Sequence, residues 1–283
     1  MNVKPRIISD SSCDLPKDFL EKDGIDFSLV PLKIIVGDHE FIDDETLNTK
    51  ELIAAMKAEK TATSSSCPSP EDFAAELRKN KESYVITMTS GLSGTYNSAR
   101  VARNMVLEED DSLKISLFDT HSTSPVMILM VMKLRDLIKA GEMDFDTISD
   151  KLATYLETLN LRFLLQDLSN LVKSGRMNRV AGAVASVLSI MPIFKSDEKG
   201  EIQLVTKARG IKKALSSLAN MVEDKAKAQP QFPVVITHCN NLSQAEILKD
   251  LLEKRFELKE IYIFPMHGLT TYYSNDKGLL LAF

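Results

Sequence analysis

Residues 84–97, YVITMTSGLSGTYN, carry the pattern that decides the fold. A strand-like apolar run at residues 84–88 is followed by a short loop of hydroxyl residues and glycines, which leads into a helix predicted near residues 94–107. Strands that alternate with helices in this way are typical of a mostly parallel sheet, whose ligand sites lie at the carboxyl ends of the strands. The loop that contains Ser93 and Gly94 is therefore predicted to lie at a ligand site.

The same alternation continues along the chain. In the first half it predicts strands near residues 5–9, 29–36 and 114–118, and helices after Asp14 and near residues 48–59, 70–80, 126–140 and 145–159. In the second half it predicts strands near residues 191–194, 202–205, 233–237, 260–264 and 279–282, a hairpin turn at 197–201, and helices around 211–222 and 245–252. We therefore predict an α/β protein with two domains, residues 1–160 and 161–283, and a mostly parallel sheet in the first.

A second hydroxyl-rich segment, residues 63–70 (TSSSCPSP), precedes the helix predicted at residues 70–80. We expect it to be a loop at a neighbouring switch point of the same sheet. Helix N-termini expose unpaired N–H groups and a partial positive charge, and hydroxyls add neutral donors, so the two segments together suggest a socket for a carboxylate or a phosphate. Serine and threonine before a helix are also ordinary caps, each contributing about 1 kcal/mol. From the residues alone, helix capping and anion binding are equally supported as the role of these hydroxyl groups.

Composition narrows the class of function. With Lys+Arg 35 and Asp+Glu 40 the net charge is −5, which disfavours nucleic-acid binding as a main function. The three cysteines are scattered without a C-x-x-C pair, as expected in a reducing cytoplasm. The longest purely apolar run, residues 126–132, is too short to cross a bilayer, so we predict a cytoplasmic protein without stable membrane insertion.

Sequence motifs of catalysis are missing from the chain. It has no P-loop, no G-x-S-x-G and no H-E-x-x-H, so neither a metal nor a cofactor is predicted, and no residue is predicted to be catalytic. The alternative that stays open is an acyl or lipid hydrolase with Ser93 as the nucleophile. Its partners would be His121 or His267 together with Asp119, since triad residues need not be neighbours in sequence.

Six motifs in a fixed order resemble those of the DegV family, the fatty-acid-binding proteins that serve bacterial fatty acid kinases. The most specific is LSGTYNSA at residues 92–99. The others are DSSCDLP at 10–16, VPL at 30–32 with Asp43, SSCPSP at 65–70 where the family usually begins with threonine, LVKSGR at 171–176 and IMPI at 190–193. Arg209-Gly210 followed by Lys213-Ala214 also fits. The resemblance covers nearly the whole chain.

This resemblance implies a long-chain fatty acid, such as palmitate, in a tunnel between the two domains. In the family the carboxylate is held at the positions of Ser65 and Ser93. Further donors are expected from the backbone around Gly94 and Thr95 and from the side chain of Asn97. A tunnel wall could come from Ala181, Val184, Val187, Leu188 and Ile190 or from residues 127–132, although core packing is favoured for both stretches.

Further roles follow from the same resemblance. Ser66 and His267 are secondary candidates for the head group, and Arg176 is a candidate for contacting the kinase or the phosphate. The kinase would perform the chemistry while this chain carries the acid and the acyl-phosphate. We expect a monomer, because a carrier that presents one face to a kinase can work as one copy.

The chain also departs from the family pattern. The segment at residues 119–125 has Pro125 where glycines are common, and residues 267–272 lack H-x-G-P-G. Ser174 replaces a glycine and Met191 replaces a lysine. These differences leave the preferred acyl chain and the class of ligand open.

Overall fold

The computed structural model describes residues 5–59, 63–177 and 190–283. The strands in these residues are β1 (Arg6–Asp10), β2 (Asp26–Val30), β3 (Lys33–Val36), β4 (His39–Ile42), β5 (Thr63–Ser66), β6 (Glu82–Thr87), β7 (Lys114–Asp119), β8 (Leu161–Leu164), β9 (Ile190–Ser196), β10 (Ile202–Arg209), β11 (Pro233–His238), β12 (Glu260–Pro265) and β13 (Leu279–Ala282). The α-helices are α1 (Thr49–Ala58), α2 (Pro70–Leu77), α3 (Thr95–Glu109), α4 (Pro125–Ala140), α5 (Phe145–Glu157), α6 (Ser169–Lys173), α7 (Ile211–Asn220), α8 (Glu223–Ala228), α9 (Leu242–Glu253) and α10 (Gly268–Ser274). Short 3-10 turns lie at Ser11–Cys13 and Glu21–Asp23.

A parallel sheet with the strand order β2-β1-β6-β7 is the scaffold of the first half. Successive residues of its central strands point to opposite faces, Ile7 and Tyr84 to one and Ile8 and Val85 to the other. Helices α2 and α3 cover the Ile8 face, and α4 covers the opposite one. Both faces of the sheet are therefore buried, and the predicted parallel sheet is confirmed.

The hydroxyl-rich segment at residues 63–66 is a strand, so the prediction of a loop at the edge of the parallel sheet is wrong. β5 belongs to a separate antiparallel sheet with the order β4-β3-β5, in which Ser65 is paired with Ile34. Serine is not among the β-branched and aromatic residues that are enriched in strands, so only the pairing with β3 makes this segment extended. The helix after it begins as predicted, with a capping box between Ser69 and Asp72.

Two other predictions near the N-terminus are also wrong. The strand predicted at residues 29–36 is two strands separated by Pro31, with β2 in the parallel sheet and β3 in the antiparallel one. Asp14 does not begin an α-helix: it follows the 3-10 turn Ser11–Cys13 and has a left-handed backbone, with φ 58°. Its carboxylate is used by a distant part of the chain, as described below.

The second half contains a six-stranded sheet with the order β10-β9-β8-β13-β11-β12, in which only β11 and β12 are parallel neighbours. All five strands predicted here are confirmed, and β8 is an additional one. Helices α7 and α9 cover one face with the predicted apolar stripes. No strand in the described ranges pairs across residues 160 and 161, and we propose to keep the domain boundary there.

Helix α4 joins the two halves. All seven residues from 126 to 132 are buried, and the helix packs against β6 on one side and against β11 and β13 on the other. A helix that is apolar all round belongs in the interior, and one hydrophobic cluster accordingly includes residues of both halves. The core interpretation of Met127 to Met132 is therefore confirmed.

The β9–β10 hairpin reaches back to the loop after β6. Its turn lies at residues 197–201, as predicted. The Thr89 hydroxyl donates a hydrogen bond to the carbonyl oxygen of Gly200 over 3.0 Å. A Cβ atom on Gly91 would lie 2.3 Å from the carbonyl oxygen of Lys199. Glycine at position 91 therefore lets the hairpin of the second half close over the loop of the first.

Two buried carboxylates hold the start of α10. Asp14 accepts a hydrogen bond from the backbone N–H of His267 over 2.7 Å. Asp43 accepts from the N–H groups of Gly268 and Leu269 over 2.7 and 2.9 Å. These bonds satisfy N–H groups that have no partner inside the helix, and they tie α10 to the first half of the chain.

Burial changes the acidity of this region. Removal from water disfavours the charged form and raises the pKa of Asp14 to about 7 from an ordinary value of 3.8, although hydrogen bonds from Ser124 and His267 oppose the shift. Desolvation likewise raises the pKa of Asp10 to about 6. Between pH 4 and the raised values, the folded protein holds protons that the unfolded chain has lost. The contribution of these two carboxyls to the free energy of unfolding therefore falls as pH rises through this window.

We predict that Gly91→Ala destabilises the protein by about 1–3 kcal/mol, because its Cβ would overpack against Lys199. Thermal or denaturant unfolding measures the change. Ser90→Ala is the matched control, since Ser90 is the exposed neighbour in the same loop. Equal stabilities for the two variants would contradict the tight hairpin contact.

Asp14→Asn should flatten the dependence of stability on pH between 4 and 7. One titrating group contributes at most about 1.4 kcal/mol per pH unit, so the slope should decrease by up to that amount. The amide oxygen can still accept from His267, and the amide NH₂ can donate to Ser124.

Urea unfolding at several pH values measures this slope. Asp18→Asn, which removes an exposed carboxylate from the same region, should leave it unchanged. A wild-type slope retained in Asp14→Asn would show that Asp14 keeps its ordinary acidity.

Candidate functional site

A cavity of about 270 Å³ lies at the carboxyl end of β6, between the two halves of the molecule. Its polar lining includes Ser65, Ser66, Cys67, Thr89, Ser93, Gly94 and Arg176. Its apolar lining includes Leu92, Leu161, Phe163, Leu165, Leu171, Leu269 and Leu280. The cavity is thus amphipathic and suits a ligand with a small polar group and an apolar body.

β8 and β13 build much of the apolar wall. Leu161 and Phe163 are two residues apart on β8, so they point to the same face of the sheet. Leu280 of β13 is paired with Phe163 in the register. This wall was not found by the sequence reading, because β8 was not predicted.

Ser93 lies in the loop between β6 and α3. Its Oγ is 2.8 Å from Oγ1 of Thr95 and also accepts a longer bond, 3.3 Å, from the Thr95 backbone N–H. Thr95 is fully buried and does not line the cavity. Its hydroxyl therefore positions Ser93 from outside the cavity. Of these two sequence-predicted residues, only Ser93 is at the cavity.

Ser65 lies on β5 and lines the cavity, as does Ser93 of the β6–α3 loop. Its Oγ is 2.8 Å from the phenolic oxygen of Tyr273, which lies on α10. Tyr273 lines the cavity together with Leu269, Thr270 and Ser274, and the spacing of these residues places them on one face of α10. The sequence reading missed this face, although the helical spacing could have revealed it.

Gly94 brings bare backbone to the cavity. It is the N-cap of α3 and has no side chain to cap this helix, so the first N–H groups after that of Thr95, which donates to Ser93, are available to a ligand. A Cβ at position 94 would lie 3.2 Å from Sγ of Cys67, so the two hydroxyl-rich segments do meet here. Ser66 is mostly exposed and also lines the cavity.

Asn97 and His267 are not brought to the cavity lining. Asn97 is exposed on α3, where its side-chain oxygen accepts a 2.8 Å hydrogen bond from Arg100. His267 precedes α10, and its Nδ1 lies 2.7 Å from a carboxylate oxygen of Asp43. This hydrogen bond raises the pKa of His267, which is half-buried.

Arg176 places the guanidinium group at the polar lining. Its Nη1 donates to the carbonyl oxygen of Ser174 over 2.8 Å, and its Nε donates to that of Leu92 over 3.4 Å. Leu92 precedes Ser93, so the cation lies next to the serine loop. Arg176 has no carboxylate partner among the described residues.

The residues of the hydrolase alternative do not form one hydrogen-bonded group with Ser93. Ser93 is bonded to Thr95, while Nδ1 of His121 lies 3.7 Å from a carboxylate oxygen of Asp119. His267 is bonded to Asp43. In residues 5–59, 63–177 and 190–283, no histidine is hydrogen-bonded to Ser93, so the structure does not assemble the proposed triad.

The remaining expectations concern the tunnel wall, metal binding, membrane insertion and the cysteines. Residues 181–188, proposed as one tunnel wall, lie outside the described residues. The described ranges contain no group of three metal-ligating side chains, and none of their helices is both long and apolar enough to cross a bilayer. Cys13, Cys67 and Cys239 are all free.

Known proteins resemble this chain over almost its full length. The family model described as "Uncharacterised protein, DegV family" matches residues 4–278. A DegV domain-containing protein of Streptococcus gordonii is 35% identical over 280 residues, which are 98% of each chain. The predicted family is thereby confirmed.

Two solved structures share the fold. A DegV family protein from Eubacterium eligens, loaded with heptadecanoic acid, has a TM-score of 0.91 and 30% identity, with 98% of each chain covered. The Streptococcus pneumoniae Fatty Acid Kinase (Fak) B3 protein, loaded with linoleic acid, has a TM-score of 0.92 and 33% identity, with 99% of each chain covered. The motifs, the fold and these likenesses agree: the chain belongs to the DegV family.

Proposed function

We propose that this protein binds one long-chain fatty acid and presents its carboxylate to a separate fatty acid kinase. The observation that carries the proposal is the amphipathic cavity, in which Ser65, Ser93 and Arg176 lie at a lining that also contains seven leucines and Phe163. Relatives of similar fold hold heptadecanoic and linoleic acid, and one of them is a fatty acid kinase B protein.

The carboxylate is assigned to the polar lining. The hydroxyls of Ser65 and Ser93 and the backbone at Gly94 supply neutral donors, whereas the Thr95 N–H donates to Ser93 and would need to be released to take part. Hydrogen bonds to a charged group contribute about 1.5–3 kcal/mol each. Arg176 adds a positive charge beside Ser93, which favours an anionic head group. Ser66 is a further candidate donor, whereas Asn97 and His267 would need to move to reach this group.

The acyl chain supplies most of the affinity. Each buried methylene contributes about 0.8 kcal/mol, so the roughly 14 methylenes of palmitate correspond to a gross contribution near 11 kcal/mol. Ordering the ligand and losing its free motion offset a large part of that sum. The hydroxyls add a smaller part of the affinity and decide the direction in which the acid lies.

A carrier role accounts for the lack of an assembled nucleophile. Ser93 is hydrogen-bonded to Thr95 and has no general base beside it in the described residues, which is suitable for binding and unsuitable for acyl transfer. We assign phosphorylation to the kinase and give this chain the transport of acid and acyl-phosphate. A cytoplasmic monomer is part of the same proposal, supported by the three free cysteines.

Protein purified from a bacterial host should release a near-stoichiometric long-chain fatty acid when it is denatured and extracted with organic solvent. Mass spectrometry identifies the chain length and unsaturation. Protein that is empty, and stays empty after incubation with a mixture of fatty acids, would contradict the proposed function.

The Ser65→Ala/Ser93→Ala double variant should bind palmitate at least tenfold more weakly, because two donors to the carboxylate are lost. The matched control is Ser64→Ala/Ser90→Ala, which removes two exposed serines from the same segments. Equal affinity in the two double variants would overturn the head-group assignment. In parallel, wild-type ester hydrolysis that disappears in Ser93→Ala would favour the hydrolase alternative.

Arg176→Ala should slow phosphorylation of the bound acid by a fatty acid kinase about tenfold, because a charge-assisted contact to the head group or the kinase is lost. Reconstitution with purified kinase measures this rate under saturating fatty acid. Lys173→Ala is the control, since it removes an exposed cation three residues away on α6. An unchanged rate in Arg176→Ala would remove this residue from the proposed contact.

A further inference from the structure

Tyr273 of α10 is the hydrogen-bond partner of Ser65, one of the two serines assigned to the carboxylate. Its phenolic oxygen lies 2.8 Å from Oγ of Ser65, and both residues are half-buried and line the cavity. Ser65 belongs to the first half of the chain and Tyr273 to the second. The head-group lining therefore contains a hydroxyl pair that forms when the two halves pack together.

This pair has more protons than its own hydrogen bond uses. Each hydroxyl carries one proton and can also accept. Neither has another hydrogen-bond partner among the described residues, so one of the two protons has no acceptor there. A phenol is more acidic than an alcohol and is the better donor, so Tyr273 donates and Ser65 accepts. The Ser65 proton is then left for an acceptor in the cavity.

Ser93 is held in a similar way by Thr95. Thr95 is fully buried, and its hydroxyl oxygen lies 2.8 Å from Oγ of Ser93 and has no other partner in the described ranges. A buried hydroxyl proton without an acceptor is unfavourable, so Thr95 donates and Ser93 accepts. Each of the two assigned serines thus accepts from a second hydroxyl and can offer its own proton to a ligand.

Two such protons suit a carboxylate better than a neutral head group. An ionised carboxyl group only accepts, through two oxygens, whereas an alcohol has one oxygen and a proton of its own. Hydrogen bonds to a charged acceptor are stronger than those to a neutral one, and donation from a second hydroxyl polarises the first. The hydroxyl that donates to each serine therefore matters most when the ligand is an ionised acid.

The neighbouring tyrosine provides an internal comparison. The Tyr272 hydroxyl lies 3.0 Å from Oγ1 of Thr63, which is two residues before Ser65 and on the same face of β5. Tyr272 is fully buried, and neither it nor Thr63 lines the cavity. β5 and α10 are thus joined by two similar hydroxyl pairs, and the pair with Tyr273 is the one at the cavity.

We propose that Tyr273 is a positioning residue that makes the site selective for ionised acids. It donates to Ser65 and thereby directs the Ser65 proton to one carboxylate oxygen, while Ser93, held by Thr95, donates to the other. This inference rests on the proposed fatty-acid binding. It extends the head-group site to α10, so that both halves of the chain contribute to recognition of the carboxylate.

The test measures the affinity of the wild type and of Tyr273→Phe for palmitate and for hexadecan-1-ol, a neutral compound with the same carbon chain. Tyr273→Phe should weaken palmitate binding about 3- to 10-fold, the loss of one hydrogen bond, and change hexadecan-1-ol binding by less than twofold. In the Ser65→Ala background the same substitution should change palmitate affinity by less than twofold, because Tyr273 acts through Ser65.

Tyr272→Phe is the matched control, since it removes the phenolic hydroxyl that bonds Thr63 away from the cavity. It should leave both affinities within twofold of the wild type. An equal loss of palmitate affinity in Tyr272→Phe would show that the connection between β5 and α10 matters and that the position of Tyr273 at the cavity does not, which would overturn the inference.

Three further outcomes would overturn it and leave the proposed function intact. The first is wild-type palmitate affinity in Tyr273→Phe. The second is an equal loss for palmitate and hexadecan-1-ol, which would indicate a general change of the cavity. The third is an equal effect of Tyr273→Phe with and without Ser65, which would show that Tyr273 acts independently of that serine. Failure of the wild type to bind palmitate would overturn both the inference and the proposed function.

Discussion

Two carboxylates from the first half of the chain, Asp14 and Asp43, hold the N-terminus of α10, which belongs to the second half. This contact determines where the ligand site can form, because α10 brings Leu269, Thr270 and Tyr273 to the cavity. Tyr273 then meets Ser65 on β5. Without the carboxylate contacts, the polar lining on the first half would face no defined partner surface on the second.

The same contact carries an energetic consequence. Asp14 is buried away from water, and its hydrogen bonds do not fully compensate for the lost hydration, so its pKa is raised. Asp43 raises the pKa of His267 in turn. The contact between the halves is therefore most stable when Asp14 and His267 are protonated, and it becomes less stable as these two groups lose their protons.

The lining separates two kinds of recognition. Neutral hydroxyls and helix N–H groups select a small anionic group and determine its direction. The leucine and phenylalanine wall of β8 and β13 binds a longer apolar chain more tightly. Thr95 fixes Ser93 from outside the cavity, and Gly91 allows the hairpin of the second half to close over the loop.

The features that could be predicted from the sequence are those that depend on interactions between residues close together in the chain. Alternating strands and helices indicated a parallel sheet, the hydroxyl-rich segment before Pro70 preceded the predicted start of α2, and the motif around Ser93 indicated the family. Only the tertiary structure decided that Ser65 lies on a strand and bonds Tyr273, 208 residues away. It also decided that Asp14, which resembles a helix cap, serves the N–H of a residue 253 positions later. The reason is physical: capping and periodicity act within a few residues, whereas these contacts depend on how two separately formed sheets pack around α4.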